Sequence, residues 1–590
     1  MAVARICRRC ANSPPNQAMK DINTFCEQAL VDWNVPGMGL VIVQAGQVVW
    51  AKGYGYRDHG AKLPFTPDTL FPIASNTKLF TAIAAGLLVE QGLLEWDRPI
   101  REAVPSIRFS SDALNNTVSL RDMLAHRTGI NRHDSMWFRS DFSRKEMFER
   151  LRFMVPSDPL RQNFVYNNVM YAAVGHTIEL LTGQSWDAFI QEKLLNPVGM
   201  SHTCFSMPKV YRNDDYAVPY TERRDSTELF KLPMYEHMIG AGPAGGLNSN
   251  LQDMSRWLIT LMQDGRCNEK VDGKQVIPAS VLKATLVPSM SLPNHMLNGR
   301  GFDEVLNGTY GMGRHTAVYR GHLMTYHGGS LGGFYSQVSY LPQKDIGVVS
   351  FVIGHHCAVL SDLLGYHVYE RLLGLGPTTW SARFLDILGK FKVAQTAART
   401  KANQDHVSGT QPSHPLVDYV GTFEHPLYPR LKIAMANDGG LSLAFRASVL
   451  FLLHVHYDRF DTPDDEVYGK WSVNFGTDPQ GEIGGLTMVL DEAEVVFKRC
   501  TEPVEPTFAA AAVGAYATPS GFKCHVLQKE AGQLFLQVPG ELDRPLQPYR
   551  PLEFRSPAAS NIVYCFDMEA GVVTGLRVKH PGGESSLVRL

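Results

Sequence analysis

Ser75 precedes Lys78 by three residues in FPIASNTKLFTAIAAGLLVEQG (71–92), at the mouth of an apolar run. Residues i and i+3 of a helix are neighbours, so a serine hydroxyl and a lysine amine placed there come within hydrogen-bond reach. That pairing matters because serine is a weak nucleophile until a base takes its proton. The helix N-terminus adds positive potential where an oxyanion could develop. Taken alone the pattern is weak, because a serine at a helix start also serves as an N-cap. Ser-x-x-Lys recurs at Ser206/Lys209, Ser280/Lys283 and Ser520/Lys523. The first lies in a Met-Pro segment, the second reads as an N-cap-like serine, and the third sits in a turn.

Two downstream segments separate Ser75 from the other three. Tyr166-x-Asn168 opens a helix in FVYNNVMYAAVGHTIELLTG, and His327-Gly328-Gly329-Ser330 leads into a strand in MTYHGGSLGGFYSQVSYLP. Free Tyr and Lys titrate near ~10 and ~10.4, so neither is a good base at neutral pH without help. Burial near Lys78 favours a Tyr166 phenolate, and cationic surroundings disfavour the charged form of Lys78. Asn168 would hold the lysine and a substrate carbonyl. The glycine pair lets backbone approach a substrate closely, and the Ser75 and Ser330 N–H groups would form an oxyanion hole.

The elements that must position these groups follow from periodicity. An amphipathic helix (MKDINTFCEQALVDW) precedes two antiparallel strands in MGLVIVQAGQVVWAKGYGYRD. Helical patterns dominate 75–92, 119–127, 143–153, 168–183, 186–195 and 251–264. Strands return at 334–341 and 346–353, and a helix follows over 357–374. Strands at both ends with helices between predict one antiparallel sheet flanked by helices, an α+β arrangement. The expected organisation is a tail at 1–18, a catalytic domain at 19–378, a helical linker at 379–415 and an all-β domain at 416–590. Within that last domain 419–445 resembles 513–538, and 484–490 resembles 574–580, which suggests two related halves.

A formal net charge of −2 gives no electrostatic footprint for nucleic acid or anionic membrane. No run approaches the ~18 apolar residues of a transmembrane helix. Nine cysteines without framework spacing, and an N-terminus without an apolar h-region, point to a reducing, cytoplasmic setting. Cys7 and Cys10 lack a second pair and read as free thiols rather than a zinc site. No metal or cofactor is expected, and His355-His356 reads as a strand end.

The three motifs occur in the order of the serine β-lactamase and penicillin-binding protein superfamily, and the chain resembles its class C branch. The third box, Lys-Thr-Gly in that family, is His327-Gly328-Gly329 here. DTLFPIASNTKLFTA, LRDMLAHRTGI, LLNPVGMSHT, GPAGGLNSNLQDMSRWL and YGMGR are also similar to family segments, over about 20–375. The resemblance implies Ser75 as the acylated nucleophile and Lys78 with Tyr166 as the proton-shuttling pair. It assigns Asn168 to orienting the lysine and substrate, and His327, Gly328, Gly329 and Ser330 to the substrate and oxyanion strand. The β tail is similar to lipocalin-like C-terminal domains. The implied activity is serine hydrolysis of a small ester or amide; the alternatives are acyl transfer or cyclisation from a small ester, amide or thioester in specialised metabolism, and a non-catalytic binding protein. A neutral histidine cannot replace an ammonium, which argues against strong β-lactamase activity. A homo-oligomer is left open, and the loops 131–163 and 205–240 are expected to wall the pocket.

Overall fold

The computed structural model describes residues 15–590, apart from 206, 236–237, 239, 268–272, 293–301, 405, 479–480, 501–503, 530–532, 551 and 558. Cys7, Cys10, Ser206 and most of the tail lie outside the described residues.

A nine-stranded antiparallel sheet forms the frame. Its strands are β1 (Gly37–Gln44), β2 (Gln47–Asp58), β3 (Leu63–Pro64), β4 (Met290–Ser291), β5 (Val305–Tyr310), β6 (His315–Tyr319), β7 (His322–Leu331), β8 (Phe334–Leu341) and β9 (Ile346–Ile353). The order is β3-β2-β1-β9-β8-β7-β6-β5-β4. The two ends of this segment therefore meet at β1–β9, where Val41 faces Val349. All of β9 is buried, because helices cover both faces of the sheet, and its sequence is correspondingly a continuous apolar run.

One face carries α1 (Pro15–Asp32) and α5 (Leu360–Leu373), packed on Leu40, Ile42, Val348 and Val352. The other carries α2 (Thr77–Glu90), α3 (Asn168–Thr182) and α4 (Leu251–Met262), packed on Val41, Val43, Phe351 and Ile353. Successive residues of β1 and β9 thus serve opposite layers, the period-two rule of a strand. Helix α2 is apolar nearly all round and nearly all buried, with Phe80 stacked on Trp257 of α4 at 3.8 Å. Each such fully buried side chain contributes roughly 1.5–3 kcal/mol. The helix ends where Gly92 adopts φ +72°.

Strands β5, β6 and most of β7 lie where no element was expected, and His327–Ser330 sit inside β7 rather than ahead of a strand. Helix α6 (Trp380–Gln404) leads to the β region. That region comprises two closed barrels of eight antiparallel strands, the first from Gly421 to Arg499 and the second from Gly514 to Arg589. Alternation inside them is clear in Leu441–Phe445, whose first, third and fifth residues are buried.

Candidate active site

Ser75 is the middle residue of a 3-10 turn, Ala74–Asn76, and α2 begins only at Thr77. The serine thus sits just ahead of the helix, with Lys78 in its first turn. Ala74 adopts φ +46°, a left-handed conformation that costs a residue with Cβ about 1–2 kcal/mol. The turn is fixed from the sheet. Ser336 of β8 donates through Oγ to Ile73 O (2.8 Å) and accepts from Asn76 Nδ2 (2.8 Å). Between them passes β7, so close that a Cβ on Gly329 would lie 2.2 Å from Ile73 O. Only glycine fits at that crossing.

Lys78 is fully buried. Its Nζ lies 3.0 Å from Ser75 Oγ, 2.7 Å from Asn168 Oδ1 and 2.8 Å from Ala244 O. Burial holds its pKa well below the ordinary lysine value; Asp134 opposes the shift and Arg132 reinforces it. Two of the three partners can only accept, so they take both hydrogens of a neutral amine, and its lone pair faces the Ser75 hydroxyl. Asn168 cannot be turned the other way, because its Nδ2 donates to Asp134 Oδ1 at 2.9 Å.

Tyr166 stands beside this pair, with Lys78 Nζ 4.8 Å and Arg132 Cζ 5.3 Å from its ring centroid. Its pKa is raised. Burial dominates, while a hydrogen bond with Ser75 and the Arg132 charge pull the other way. Burial thus disfavours the Lys78 ammonium and the Tyr166 phenolate alike. The phenolate expected from the sequence is not favoured, because burial outweighs the Ser75 hydrogen bond and the Arg132 charge. The backbone around Tyr166 is pinned by Asn167, which caps α3 through its side chain and donates its N–H to His126 Nδ1 at 3.0 Å.

His327 is buried and neutral, its pKa depressed first by burial and then by His315 and Lys78. Its Nδ1 is 2.7 Å from Gly328 O, which can only accept, so Nδ1 carries the hydrogen and Nε2 accepts from Tyr310 at 3.1 Å. The one donor of the neutral ring is spent on the adjacent carbonyl. The ladder between β6 and β7 ends at the His315–Tyr326 pair, so His327–Leu331 have no strand neighbour on that side. That open edge lines a cavity of about 480 Å³ together with Ser75, Tyr166 and Asn168, within the roughly 300–1,000 Å³ of small-molecule sites.

The structure therefore brings Ser75, Lys78, Tyr166, Asn168 and His327–Ser330 to one place. It leaves two of the other Ser-x-x-Lys serines elsewhere: Ser280 lies inside a helix, not at its cap, and donates to Glu90 (2.8 Å), while Ser520 meets Thr518 in a barrel turn. Sequence reasoning missed Arg132, Asp134, Trp137 and Phe138, which wall the cavity from the 131–163 loop. Arg132 Nη2 pairs with Asp134 Oδ2 at 2.6 Å, and Trp137 donates to Asp134 Oδ1 at 2.7 Å. A residue that joins the site only through a long loop carries no periodic signal. His355–Cys357 form a 3-10 turn that follows β9, and both rings are held locally.

Cys26, Cys357, Cys524 and Cys565 are free thiols, and no helix among the described residues is long and apolar enough to cross a membrane. The family model described as Beta-lactamase matches residues 23–356, more than half of the sequence. The chain belongs to the Beta-lactamase family. A second match, to a domain of unknown function (DUF3471), covers 405–503 and coincides with the first barrel. Similar family members include the Unguisins hydrolase ungD' of Aspergillus campestris (strain IBT 28561), 27% identical over 447 residues, spanning 72% of this chain and 80% of that protein. The Unguisins hydrolase ungD of Aspergillus violaceofuscus (strain CBS 115571) is 24% identical over 440 residues, spanning 70% and 76%. Among solved structures, the octameric penicillin-binding protein homologue from Pyrococcus abyssi superposes with a TM-score of 0.55 at 20% identity, over 81% of this chain and 100% of that one. The Beta-lactamase fold thus extends through the sheet and its helices.

Proposed function

We propose that this chain is a serine hydrolase that forms an acyl-enzyme on Ser75 with a small ester or amide. The observation that carries the reading is the saturation of Lys78: both hydrogens of the neutral amine are committed to Asn168 and Ala244, and the lone pair is aimed at the serine hydroxyl. The Ser75 proton passes to Lys78 Nζ as Oγ bonds to the substrate carbonyl carbon. The Ser75 and Ser330 N–H groups receive the oxyanion at the open edge of β7. On collapse, Tyr166 gives its hydroxyl hydrogen to the departing alkoxide or amine and regains one from the Lys78 ammonium. Water, deprotonated along the same route in reverse, then releases the acid and frees Ser75.

The relatives named as hydrolases support hydrolysis as the overall reaction. A neutral His327 offers nothing to a substrate carboxylate, which disfavours β-lactam antibiotics. Free thiols support a reducing compartment as the place of action. The test is labelling with a fluorophosphonate, read by intact mass and peptide mapping. A single adduct on Ser75, lost in Ser75→Ala together with ester turnover, is expected. Folded protein that takes up no acylating probe would refute the proposal.

A further inference from the structure

The cavity that holds Ser75 has an unmatched carboxylate. Asp362 stands in the first turn of α5, on the face of the sheet opposite α2, and lines the same cavity beside Ser361, Ala358 and Tyr335. Three other ionisable groups of the cavity are matched or uncharged. Arg132 pairs with Asp134, Lys78 is enclosed by its three partners, and His327 is neutral. Asp362 makes no side-chain hydrogen bond or ion pair among the described residues, and burial alone pushes its pKa up to about 7. The ionisable groups facing it are Tyr326 of β7 and Tyr366, one turn further along α5. His315 stacks on Tyr326 with ring centroids 4.9 Å apart. Neither tyrosine brings a compensating positive charge.

A half-buried acid without a donor or a cation is less well stabilised than a solvated one, and a ligand that supplies positive charge offsets that cost. We propose that Asp362 is the specificity-determining contact for a protonated amine on the substrate, so that the site takes small esters or amides carrying an ammonium group. The fate of the bound molecule rests on the serine-hydrolase reading above; its recognition does not. The assignment also fits the other end of the charge pattern, since a site with an unpaired carboxylate and a neutral His327 repels anionic substrates and attracts cationic ones.

The experiment compares two substrates differing at one group, alanine p-nitroanilide and its N-acetyl form, each as both enantiomers, at about pH 7.5 where much of the amine is charged. The wild-type chain is expected to favour the free amine in kcat/KM by about tenfold or more. In Asp362→Asn that ratio falls towards one, and Asp362→Glu, which keeps the charge, retains a preference. A wild-type ratio near one, or equal losses on both substrates in Asp362→Asn, overturns the proposal. Titration calorimetry of Ser75→Ala with alanine amide and N-acetylalanine amide gives a reading independent of turnover. Tighter binding of the free amine, abolished by adding Asp362→Asn, supports the assignment, and equal binding of the two amides overturns it. Failure of wild-type Ser75 to take a fluorophosphonate would sink the hydrolase reading instead, and the calorimetry would still decide the role of Asp362.

Discussion

Lys78 is poised by two neighbours of opposite sign, and they make opposite predictions. Asp134 favours the ammonium and Arg132 disfavours it. The proposed base is the neutral amine, so activity is lost as pH falls through the Lys78 pKa. Asp134→Asn lowers that pKa, and the acidic limb of kcat/KM should move to lower pH; Arg132→Ala raises it, and the limb should move to higher pH. Both changes also loosen Asn168, so kcat should fall by about 10–100-fold in each. A pH–rate series on the two variants checks direction and size together. Ser75, Lys78, Tyr166 and Asn168 were legible in the sequence because each pair lies within three residues at the start of a helix. Asp134 was not legible. It reaches Asn168 across 34 residues of chain that carry no hydrophobic period. Asp362 was hidden differently, since an acid in the first turn of a helix ordinarily just complements the helix dipole.

At the scale of elements, the Ser75 hydroxyl, the proposed nucleophile, is set by how tightly β7 crosses the Ala74–Asn76 turn. Gly329→Ala puts a methyl group 2.2 Å from Ile73 O and 2.4 Å from Ser336 Oγ, both part of the clamp on that turn. Over-packing of this kind costs typically ~1–3 kcal/mol. A lower melting temperature and at least a ~100-fold loss of activity are expected, because a shift of about 1 Å in a reacting group has that effect. Thermal denaturation and ester turnover measure the two. The middle of the sheet was readable from the two ends of the segment, where β1 and β9 are largely apolar and β8 alternates. Its other half was not, because β5 and β6 are short and β7 is interrupted by histidine and glycine. The hairpin between β6 and β7 turns on Arg320 and Gly321, both with positive φ, a geometry that Arg does not advertise.

The whole molecule joins its parts unequally. The first barrel reaches into the site: Asp491 accepts from Ser135 N (2.9 Å), beside Asp134, and Tyr428 OH lies 2.8 Å from His133 Nδ1. Arg446 donates to Phe138 O (3.2 Å), and Tyr468 OH lies 2.8 Å from Tyr235 OH. Asp491→Ala removes the partner of a partly buried N–H, a loss of about 1–3 kcal/mol. Because Ser135 adjoins Asp134, kcat/KM should drop about tenfold while Ser75 remains reactive to small probes. The second barrel is held to the first by ion pairs, Arg550 with Glu482 and Asp418, and Arg555 with Asp478. Partly exposed pairs of this kind weaken with salt. A chain ended near residue 500 should keep ester turnover within about twofold, whereas one ended near 404 should lose most of it; expressing both and assaying them decides the matter. The paired barrels were foreshadowed by the resemblance of 419–445 to 513–538, but closure of each into its own cylinder depends on pairing between first and last strands, which no local signal encodes.

The bond between Ser135 and Asp491 joins groups 356 positions apart in the chain. During synthesis, at about 5–20 residues per second, the nucleophile, its base and the phenol all leave the ribosome well before the strand that steadies the wall opposite them. A nascent protein therefore carries its reactive groups in an unfinished pocket, and competence arrives late, when the first cylinder closes.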